Sequence, residues 1–515
     1  MPGRQSNFRD VPGAAPFFLQ SATDLTYTDA DGRQFVDFTI SMGAAIWGYG
    51  DEEYKDAVRD QLDTLLAMSS GAAQSALEVE LAEAIVDRVP GAEWVRFGIS
   101  GTEAVQLAIR LGRAYTDRPL FVRFAGHYHG WMDNVAGGGI PDATDPPYPV
   151  HFDNDPGATS GRSPFAFQES LILPWNDADA LEDLLKKHGD QIGVVVMEAI
   201  MCNNACCPPR PGYLERVREL CDEYGCVLMF DEVITGFRVA PGGAQDLLGV
   251  TPDIATYGKA LAGGLPLSAI AGKEKILNQL RENTVLGGGT FNAFQLGMAA
   301  GVATMRKFAR DDWAAYRRID ELQERLNAGL RKAAANNNET VLIRGPRGVT
   351  YIQFANCDAA WTPADLANAD FEKSARFKAL LMDKGVLMAG GNRWFLSPNH
   401  TEHDIDAAIA AAHNMSTFSP RGIVTPLYSI VSDGARCNPS KDGSYRIDSR
   451  HARCSNDMSS RTSMSWSGWR RQVSRTLAVA VATESIPSNV IAAIGSAGFL
   501  GTPSTSLAFS AVPNK

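Results

Sequence analysis

The feature that most constrains the fold is an alternation of short apolar runs with longer amphipathic stretches over the first 415 residues. The apolar runs predict buried strands and the amphipathic stretches predict helices, a pattern typical of a largely parallel sheet covered by helices. The predicted strands span residues 94–99, 120–126, 192–200, 225–233 and 252–258, and the predicted helices span 102–116, 211–224, 293–310 and 313–335. Because ligands bind beyond the carboxyl ends of such strands, polar residues there are the functional candidates.

The composition narrows the class of protein. The chain has 515 residues, of which 45% are hydrophobic, and this is enough for a substantial core. A net charge of −11 argues against a general nucleic-acid binder, whose surface would be basic. Eight cysteines without regular spacing indicate free thiols. The sequence begins without the pattern of a secretory signal, so we expect a cytoplasmic protein.

Residues 416–515 differ in composition from the rest of the chain. They hold 11 Lys and Arg against 5 Asp and Glu, and their apolar residues show no sustained period. This predicts loop or disorder for residues 417–515. The most apolar part, residues 476–500, contains Glu484 and Pro487, which interrupt it before it reaches the length of a membrane span. We therefore expect no membrane anchor.

A dense cysteine cluster, CNNACCPP, occupies residues 202–209. A zinc or redox site would need partners at ligand spacing, and no histidine lies close in the sequence. The sequence therefore favours structural cysteines, and we predict no metal site.

The sequence SGTEAV, which starts at Ser100, follows a predicted strand and begins a predicted helix. The backbone N–H groups near Gly101 and Thr102 would lie at the positive end of the helix dipole, where they can bind an anion. Ordinary capping by Ser100 or Thr102, with Glu103 favoured by the dipole, explains the same residues. Taken alone, capping is the commoner use of such residues.

A second candidate, Asp231, directly follows the apolar run CVLMF. A buried carboxylate is costly unless it has a cationic partner or a donor from a ligand. The partner is either the protonated heterocyclic nitrogen of a ligand or Arg238, a few residues further along the chain. The sequence does not distinguish between them.

The third candidate, Lys259, follows the predicted strand at 252–258. A lysine in an apolar pocket tends to lose its proton, and the neutral amine can form a Schiff base with an aldehyde. The alternative is a lysine whose ammonium group reaches water. The anion site, Asp231 and Lys259 each follow a predicted strand, and together they match the phosphate, ring nitrogen and aldehyde of pyridoxal phosphate.

Two loops offer weaker candidates. In GHYHGWMDN, Tyr128 either stacks on a pyridine ring or packs within its loop. His127 and His129 are candidate proton carriers or metal ligands, although a pair two residues apart is weak support for either role. The triple glycine before Thr290 is either a second anion-binding turn or a tight turn.

The stretch FDEVITGFRVAPGGAQDLLGVTPDIATYGKALAGGLPLSAIAG resembles the signature of class III pyridoxal-phosphate aminotransferases of fold type I, in the branch around glutamate-1-semialdehyde aminomutase. The resemblance extends from the start of the chain to about residue 414. It implies an α/β fold with a large domain on a mostly parallel seven-stranded sheet and a smaller α+β carboxy-terminal domain. The expected division is an amino-terminal segment over 1–40, a cofactor-binding domain over 41–300 and the small domain over 301–416.

The resemblance implies a role for each main candidate. Lys259 forms a Schiff base with pyridoxal phosphate and carries a proton between substrate and cofactor, while Asp231 keeps the pyridine nitrogen protonated. Gly101 and Thr102 hold the phosphate. Thr290 reaches the phosphate of the neighbouring subunit, which implies a homodimer with shared sites.

The same resemblance places three side chains around the cofactor ring. Tyr128 stacks on one face, Val233 packs on the other, and Asn203 bonds the ring hydroxyl. The sequence departs from the family pattern nearby, because the family's Gly-Asn pair reads Cys202-Asn203 and its Glu-Pro pair reads Glu198-Ala. These departures concern the shape of the loop that carries Asn203.

Substrate recognition rests on arginines. Family members hold the substrate carboxylate with an arginine soon after the starting Pro-Gly, and Arg9 is the candidate here, with Arg4 as second choice. Arg393 resembles the substrate arginine of β-amino-acid aminotransferases of this branch, since a guanidinium can bind a carboxylate through two hydrogen bonds. An exposed surface arginine is the alternative. Residues 136–168 are rich in Gly, Pro and Asp, which predicts a long loop near the mouth of the site.

The segment around Arg393 also lacks the glutamate that aminomutases carry before their Ala-Gly pair. This favours an aminotransferase that moves an amino group from an amino acid or amine to a 2-oxo acid by a ping-pong mechanism. A glutamate-1-semialdehyde-type aminomutase, which moves the amino group within one molecule, is the first alternative. A homologue that binds pyridoxal phosphate without activity is the second.

Overall fold

A computed structural model describes residues 18–68, 72–138, 160–357 and 359–413. Arg4, Arg9, the predicted carboxy-terminal tail and most of the predicted 136–168 loop therefore lie outside the described residues. The strands are β1 (Leu19–Thr23), β2 (Thr26–Asp29), β3 (Gln34–Phe38), β4 (Trp94–Gly98), β5 (Leu120–Phe124), β6 (Ser170–Leu173), β7 (Ile192–Met197), β8 (Val227–Asp231), β9 (Ile254–Tyr257), β10 (Ser268–Gly272), β11 (Val341–Arg344), β12 (Val349–Phe354), β13 (Val386–Met388) and β14 (Arg393–Phe395).

The helices alternate with these strands. They are α1 (Ile40–Gly43), α2 (Glu52–Thr64), α3 (Ala76–Arg88), α4 (Gly101–Thr116), α5 (Pro164–Phe167), α6 (Ala178–His188), α7 (Tyr213–Tyr224), α8 (Gly243–Leu248), α9 (Glu274–Arg281), α10 (Gln295–Phe308), α11 (Ala314–Asn336), α12 (Phe371–Asp383) and α13 (Glu402–Ala412). Within the described ranges, none of them combines the length and the apolar character that a bilayer span requires.

The central sheet has seven strands in the order β4-β10-β9-β8-β7-β5-β6. Only β10 runs against its neighbours, β4 and β9, so the other six strands point the same way. Every residue of β7 and β8 is buried, as expected for parallel strands covered on both faces. The five predicted strands and the four predicted helices are confirmed.

Helices cover the two faces of this sheet. On one face α4 packs against the sheet through an apolar stripe that includes Val105, Ala108 and Ile109. The other face belongs to a larger core cluster, which includes Leu220 of α7 and Leu228 of β8. This packing holds the strands rigidly, so the residues at their ends have fixed positions.

Two smaller sheets accompany the central one. The first has the order β1-β2-β3-β13, in which β13 pairs in parallel with β3, and the second has the order β11-β12-β14. The pairing of β13 with β3 joins the amino-terminal part of the chain to its carboxy-terminal part. This agrees with an amino-terminal segment that belongs to the small domain, although the expected boundaries at residues 40, 300 and 416 stay a prediction.

Candidate active site

A cavity of about 340 Å³ lies at the carboxyl ends of β4, β5, β7, β8 and β9. Its lining includes every predicted cofactor-binding residue except Thr290: Gly101, Thr102, Tyr128, Asn203, Asp231, Val233 and Lys259. Segments far apart in the sequence therefore meet at one edge of the sheet, as the strand pattern predicts.

Lys259 sits just beyond β9, at the start of a short 3₁₀ turn, Lys259–Ala262. Its backbone has φ +44°, in the left-handed region that a residue other than glycine seldom adopts. Burial lowers the pKa of Lys259 to about 8, against the opposing effect of Asp231. A large fraction of the amine is thus neutral near pH 8.

Asp231 is the last residue of β8 and is 6% exposed. Its Oδ2 lies 2.8 Å from Nδ1 of His129, and its Oδ1 accepts the backbone N–H of Val233 at 3.1 Å. The Thr256 hydroxyl is 3.5 Å from the same Oδ1. One carboxylate oxygen is therefore fixed by backbone and the other by an imidazole.

The alternative partner for Asp231, Arg238, is excluded by its position. The Arg238 guanidinium is fully buried and donates to the carbonyl oxygens of Gly43, Gly348 and Leu396. It therefore ties the chain segments of the small sheets to the loop after β8. The residue that does meet Asp231, His129, was only a weak candidate in the sequence because its spacing gives no sign of this contact.

The helix α4 begins at Gly101, one residue earlier than predicted. Ser100 caps it, since its hydroxyl accepts the N–H of Glu103 at 3.3 Å, while Glu103 Oε2 accepts the N–H of Ile99 at 3.0 Å. The N–H groups of Gly101 and Thr102 have no acceptor within the helix, so capping and anion binding are compatible here.

Gly130 keeps the space beside this helix end open. It has φ +106°, and a Cβ at this position would lie 2.7 Å from the Thr102 hydroxyl oxygen. The cavity thus combines an amine, a carboxylate and a helix amino terminus with free space next to it. These residues fit pyridoxal phosphate, which needs partners for an aldehyde, a ring nitrogen and a phosphate.

A buried carboxyl that is not among the predicted site residues, Glu198, completes the wall after β7. Its Oε1 accepts the N–H of Tyr128 at 2.9 Å and the side-chain amide of Asn203 at 3.0 Å, and its Oε2 accepts the N–H of Asn203 at 3.1 Å. Burial raises the pKa of Glu198. Glu198 therefore fixes Tyr128, which is 53% exposed, and Asn203 relative to each other.

His127 supports the same wall from behind. Its Nδ1 accepts the backbone N–H of Glu198 at 3.0 Å, and burial lowers the pKa of His127 well below its usual value. A neutral ring that accepts at Nδ1 carries its proton on Nε2. In the parts of the chain that the structure describes, no three or more His, Cys, Asp or Glu side chains are grouped to hold a metal ion.

Arg393 is the first residue of β14 and is 5% exposed, so the surface alternative is wrong. Its guanidinium donates to the carbonyl oxygens of Gly390 at 3.0 Å and Cys202 at 3.2 Å, and to Oδ1 of Asn203 at 3.3 Å. Within the described ranges no carboxylate forms an ion pair with it. Arg393 does not line the cavity itself but lies directly behind Asn203.

One predicted site residue is not brought to the cavity of its own chain. Thr290 is exposed in the loop before α10. It is absent from the lining of the cavity. The other substrate candidate, Arg9, lies outside the described residues.

Comparison with known proteins agrees with this geometry. Residues 10–407 match the family described as Aminotransferase class-III. The omega-transaminase from Sphaerobacter thermophilus is similar, with a TM-score of 0.72 and 30% identity over 80% of this chain and 93% of that one. A beta-phenylalanine aminotransferase from Variovorax paradoxus gives a TM-score of 0.68 and 29% identity over 80% of this chain and 90% of that one.

A glutamate-1-semialdehyde aminomutase from Pseudomonas aeruginosa PAO1 shares the fold, with a TM-score of 0.68 and 24% identity over 78% of this chain and 88% of that one. The match to the family covers most of the sequence, and the expected fold type I architecture is present. The chain belongs to the class III aminotransferase family and is a pyridoxal-phosphate-dependent aminotransferase.

Proposed function

We propose that this aminotransferase moves an amino group from an amino acid to a 2-oxo acid, in two half-reactions that share the cavity at the strand ends. The observation that carries the proposal is that Lys259 and Asp231 line this cavity together with the amino terminus of α4. Pyridoxal phosphate, when bound, supplies an electron sink for the substrate carbon that loses a proton.

Lys259 is the proposed proton carrier. Because burial lowers the pKa of Lys259 to about 8, its Nζ can accept a proton from the reacting carbon and return it at ordinary pH. The carboxylate of Asp231 would accept the N–H of the pyridine ring. His129, 2.8 Å from Asp231, would hold that carboxylate in place.

The remaining contacts would position the ring and the phosphate. Gly101 and Thr102 would donate backbone N–H groups to the phosphate. Tyr128 would stack on the ring and Val233 would pack on its other face, with Asn203 bonding the ring hydroxyl. That Tyr128, Val233 and Asn203 line the same cavity supports this arrangement.

We also propose a homodimer in which Thr290 of each subunit completes the phosphate site of the other. Its support is that Thr290 is exposed and absent from the cavity of its own chain, although it occupies the family position for this contact. The six cysteines in the described residues are free thiols, which supports a reducing, cytoplasmic location.

The substrate carboxylate is assigned to Arg393 and Arg9. Arg393 is buried, its hydrogen-bond acceptors among the described residues are neutral, and it contacts Asn203 of the cavity wall. A carboxylate would be a stronger acceptor for its guanidinium than Asn203 is. Together with the similarity to a beta-phenylalanine aminotransferase, this favours an amino acid donor over a simple amine.

The experiment that tests the proposal is the dependence of turnover on an acceptor. Purified enzyme loaded with pyridoxal phosphate is given a panel of α- and β-amino acids and amines, with and without a 2-oxo acid. Without an acceptor we expect a single half-reaction, seen as loss of the visible band of the bound cofactor. We expect continued turnover only when a 2-oxo acid is present. Continued turnover without acceptor would indicate the aminomutase, and an unchanged band with every donor would indicate an inactive homologue.

A further inference from the structure

Three cysteines in the loop after β7 have no part in the proposed chemistry. Cys202, Cys206 and Cys207 are all buried and all free thiols. Cys202 directly precedes Asn203, which lines the cavity. The loop is closed by the N–H of Met201, which donates to the carbonyl of Cys207 at 3.1 Å.

The loop brings two of the three sulfur atoms together. The Cys206 thiol donates to the carbonyl oxygen of Cys202 at 3.9 Å. Ala205 and Cys206 have φ values of +56° and +49°, a left-handed pair that folds the chain back on itself. A disulfide between these two residues therefore needs a local shift of the loop backbone around Cys202.

Two guanidinium groups flank these thiols. Arg344 donates to the Ala205 carbonyl at 2.8 Å and to Cys207 Sγ at 3.0 Å, and Arg393 donates to the Cys202 carbonyl. The neighbouring Cys202 side chain lowers the pKa of the Cys206 thiol, and both arginines act in the same direction against burial. A thiol with a lowered pKa beside arginines is the more reactive kind.

A second pair of buried cysteines also has arginines nearby, but their thiols do not have a lowered pKa. Burial raises the pKa of Cys221, and burial raises that of Cys226 to about 11. The Cys226 thiol donates to the carbonyl of Ile192 at 3.2 Å and lies away from the cavity lining. Cys226 is thus a matched control for burial without activation.

We propose that Cys202 and Cys206 form a reversible disulfide on exposure to hydrogen peroxide and that this disulfide switches the enzyme off. The effect on turnover rests on the proposed function, since it acts through Asn203 and Arg393. The formation of the disulfide does not rest on the proposed function.

The chemistry balances with peroxide as the oxidant. The Cys206 thiolate attacks one peroxide oxygen and the O–O bond breaks, which leaves a sulfenic acid on Cys206 and releases one water after protonation. Cys202 then attacks the Cys206 sulfur, so that the S–S bond forms, the S–O bond breaks and a second water leaves. Two thiols are oxidised and one peroxide is reduced to two waters.

The disulfide would disturb the site through the loop backbone. The Cys202 carbonyl accepts from Arg393, and the next residue, Asn203, makes two hydrogen bonds to Glu198. Pulling Cys202 toward Cys206 strains these bonds and shifts Asn203 in the cavity wall. A displacement of about 1 Å at such a position lowers turnover by roughly tenfold to a hundredfold.

The test treats the holoenzyme with hydrogen peroxide, alkylates the remaining thiols and digests with trypsin. All three loop cysteines fall in one peptide, residues 188–216, so the disulfide appears as a loss of two hydrogen atoms with Cys207 still alkylated. Activity is assayed on the same samples before and after dithiothreitol. Variants Cys206→Ala and Cys207→Ala are compared with the control Cys226→Ala.

We expect wild type, Cys207→Ala and Cys226→Ala to lose activity roughly tenfold or more with peroxide and to regain it with dithiothreitol. Cys206→Ala should start with ordinary activity and resist the treatment. The proposal is overturned if Cys202 and Cys206 are still both alkylated after inactivation, or if Cys206→Ala is inactivated as fast as wild type. A disulfide formed without any aminotransferase activity in the untreated enzyme would contradict the proposed function instead.

Discussion

Two parts of the cavity wall are built in different ways. On one side Lys259 and Asp231 follow adjacent parallel strands of the central sheet, whose packing fixes them. On the other side Asn203 belongs to an irregular loop that Arg393, from a separate three-stranded sheet, holds by hydrogen bonds. The first part depends on strand packing and the second on a few polar contacts.

This difference in construction suggests different roles for the two parts of the wall. Residues that act on the cofactor need fixed positions, which the ends of buried strands provide. Residues that meet the substrate can change with loop sequence while the sheet stays the same. Replacements on the sheet side should therefore affect the rate of every substrate, whereas replacements on the loop side should distinguish among substrates.

The largest expected effect is that of Asp231→Asn. Removing the carboxylate charge at the end of β8 should lower kcat by roughly a hundredfold to a thousandfold for all donors, because an electrostatic partner of the cofactor ring is lost. Steady-state kinetics with several donors measures this. Equal rates in the variant and wild type would show that the sheet side does not carry the chemistry.

The matched control is Asp253→Asn, at the opposite edge of the same sheet. Asp253 precedes β9 and forms ion pairs with Arg218 and Lys273, which outweigh burial and lower its pKa. Its stabilising effect is therefore present at neutral pH and lost as pH falls through the pKa of the folded state. We expect a loss of about 1–3 kcal/mol in unfolding free energy at pH 7 with kcat unchanged.

The next effect belongs to the loop side. Arg393→Gln should raise KM for amino acids and 2-oxo acids roughly tenfold to a hundredfold, and should leave amines without a carboxylate little affected. Arg376→Gln, in a surface ion pair with Glu372 on α12, is the control. If KM rises equally for amines and for amino acids, Arg393 acts by holding Asn203 and not by binding the substrate.

A smaller effect is expected at the helix end. Gly130→Ala would place a Cβ 2.7 Å from the Thr102 hydroxyl and should weaken pyridoxal phosphate binding about tenfold. Gly161→Ala has a similar positive φ, +86°, with nothing within 4 Å of its Cβ, so it separates backbone strain from the clash. Titration of the apoenzyme of each variant with pyridoxal phosphate distinguishes the two effects. Equal affinities in Gly130→Ala and wild type would show that the space beside Thr102 is not needed for cofactor binding.

The smallest effect concerns pH. The rate of cofactor uptake by the apoenzyme should rise about tenfold per pH unit and level off near pH 8, since only the neutral amine of Lys259 reacts. Asp231→Asn should move this plateau to lower pH, because Asp231 raises the pKa of Lys259. A plateau that begins near the ordinary lysine pKa of 10.5 would mean that burial does not activate the amine.

The sequence predicts the sheet side well for a physical reason. Buried parallel strands are continuous apolar runs, and a polar residue at the end of such a run, like Asp231 or Lys259, is conspicuous. Because these strands are parallel, their carboxyl ends lie at one edge of the sheet. The position of each residue at the end of a predicted strand is therefore enough to predict that these residues lie close together. The contact between His129 and Asp231 was not predictable, because a histidine in a glycine-flanked loop gives no sign of its direction.

The loop side was less predictable because it depends on contacts between distant irregular segments. Glu198 follows β7 like the other site residues, and its place at a strand end was the signal that could have identified it. The burial of Arg393 depends on β14 pairing with β12, which no local pattern reveals. The role proposed for Thr290 comes from the family resemblance alone, because an exposed threonine after three glycines gives no sign of what it contacts.

The most direct test of the central claim is the covalent position of the cofactor. Holoenzyme is reduced with sodium borohydride, digested, and the pyridoxyl-labelled peptide is sequenced by mass spectrometry, with Lys275→Ala as a control that should label normally. We expect a single label on Lys259 in wild type and none in Lys259→Ala. A label on any other lysine of wild type, or an unchanged label in Lys259→Ala, would contradict it.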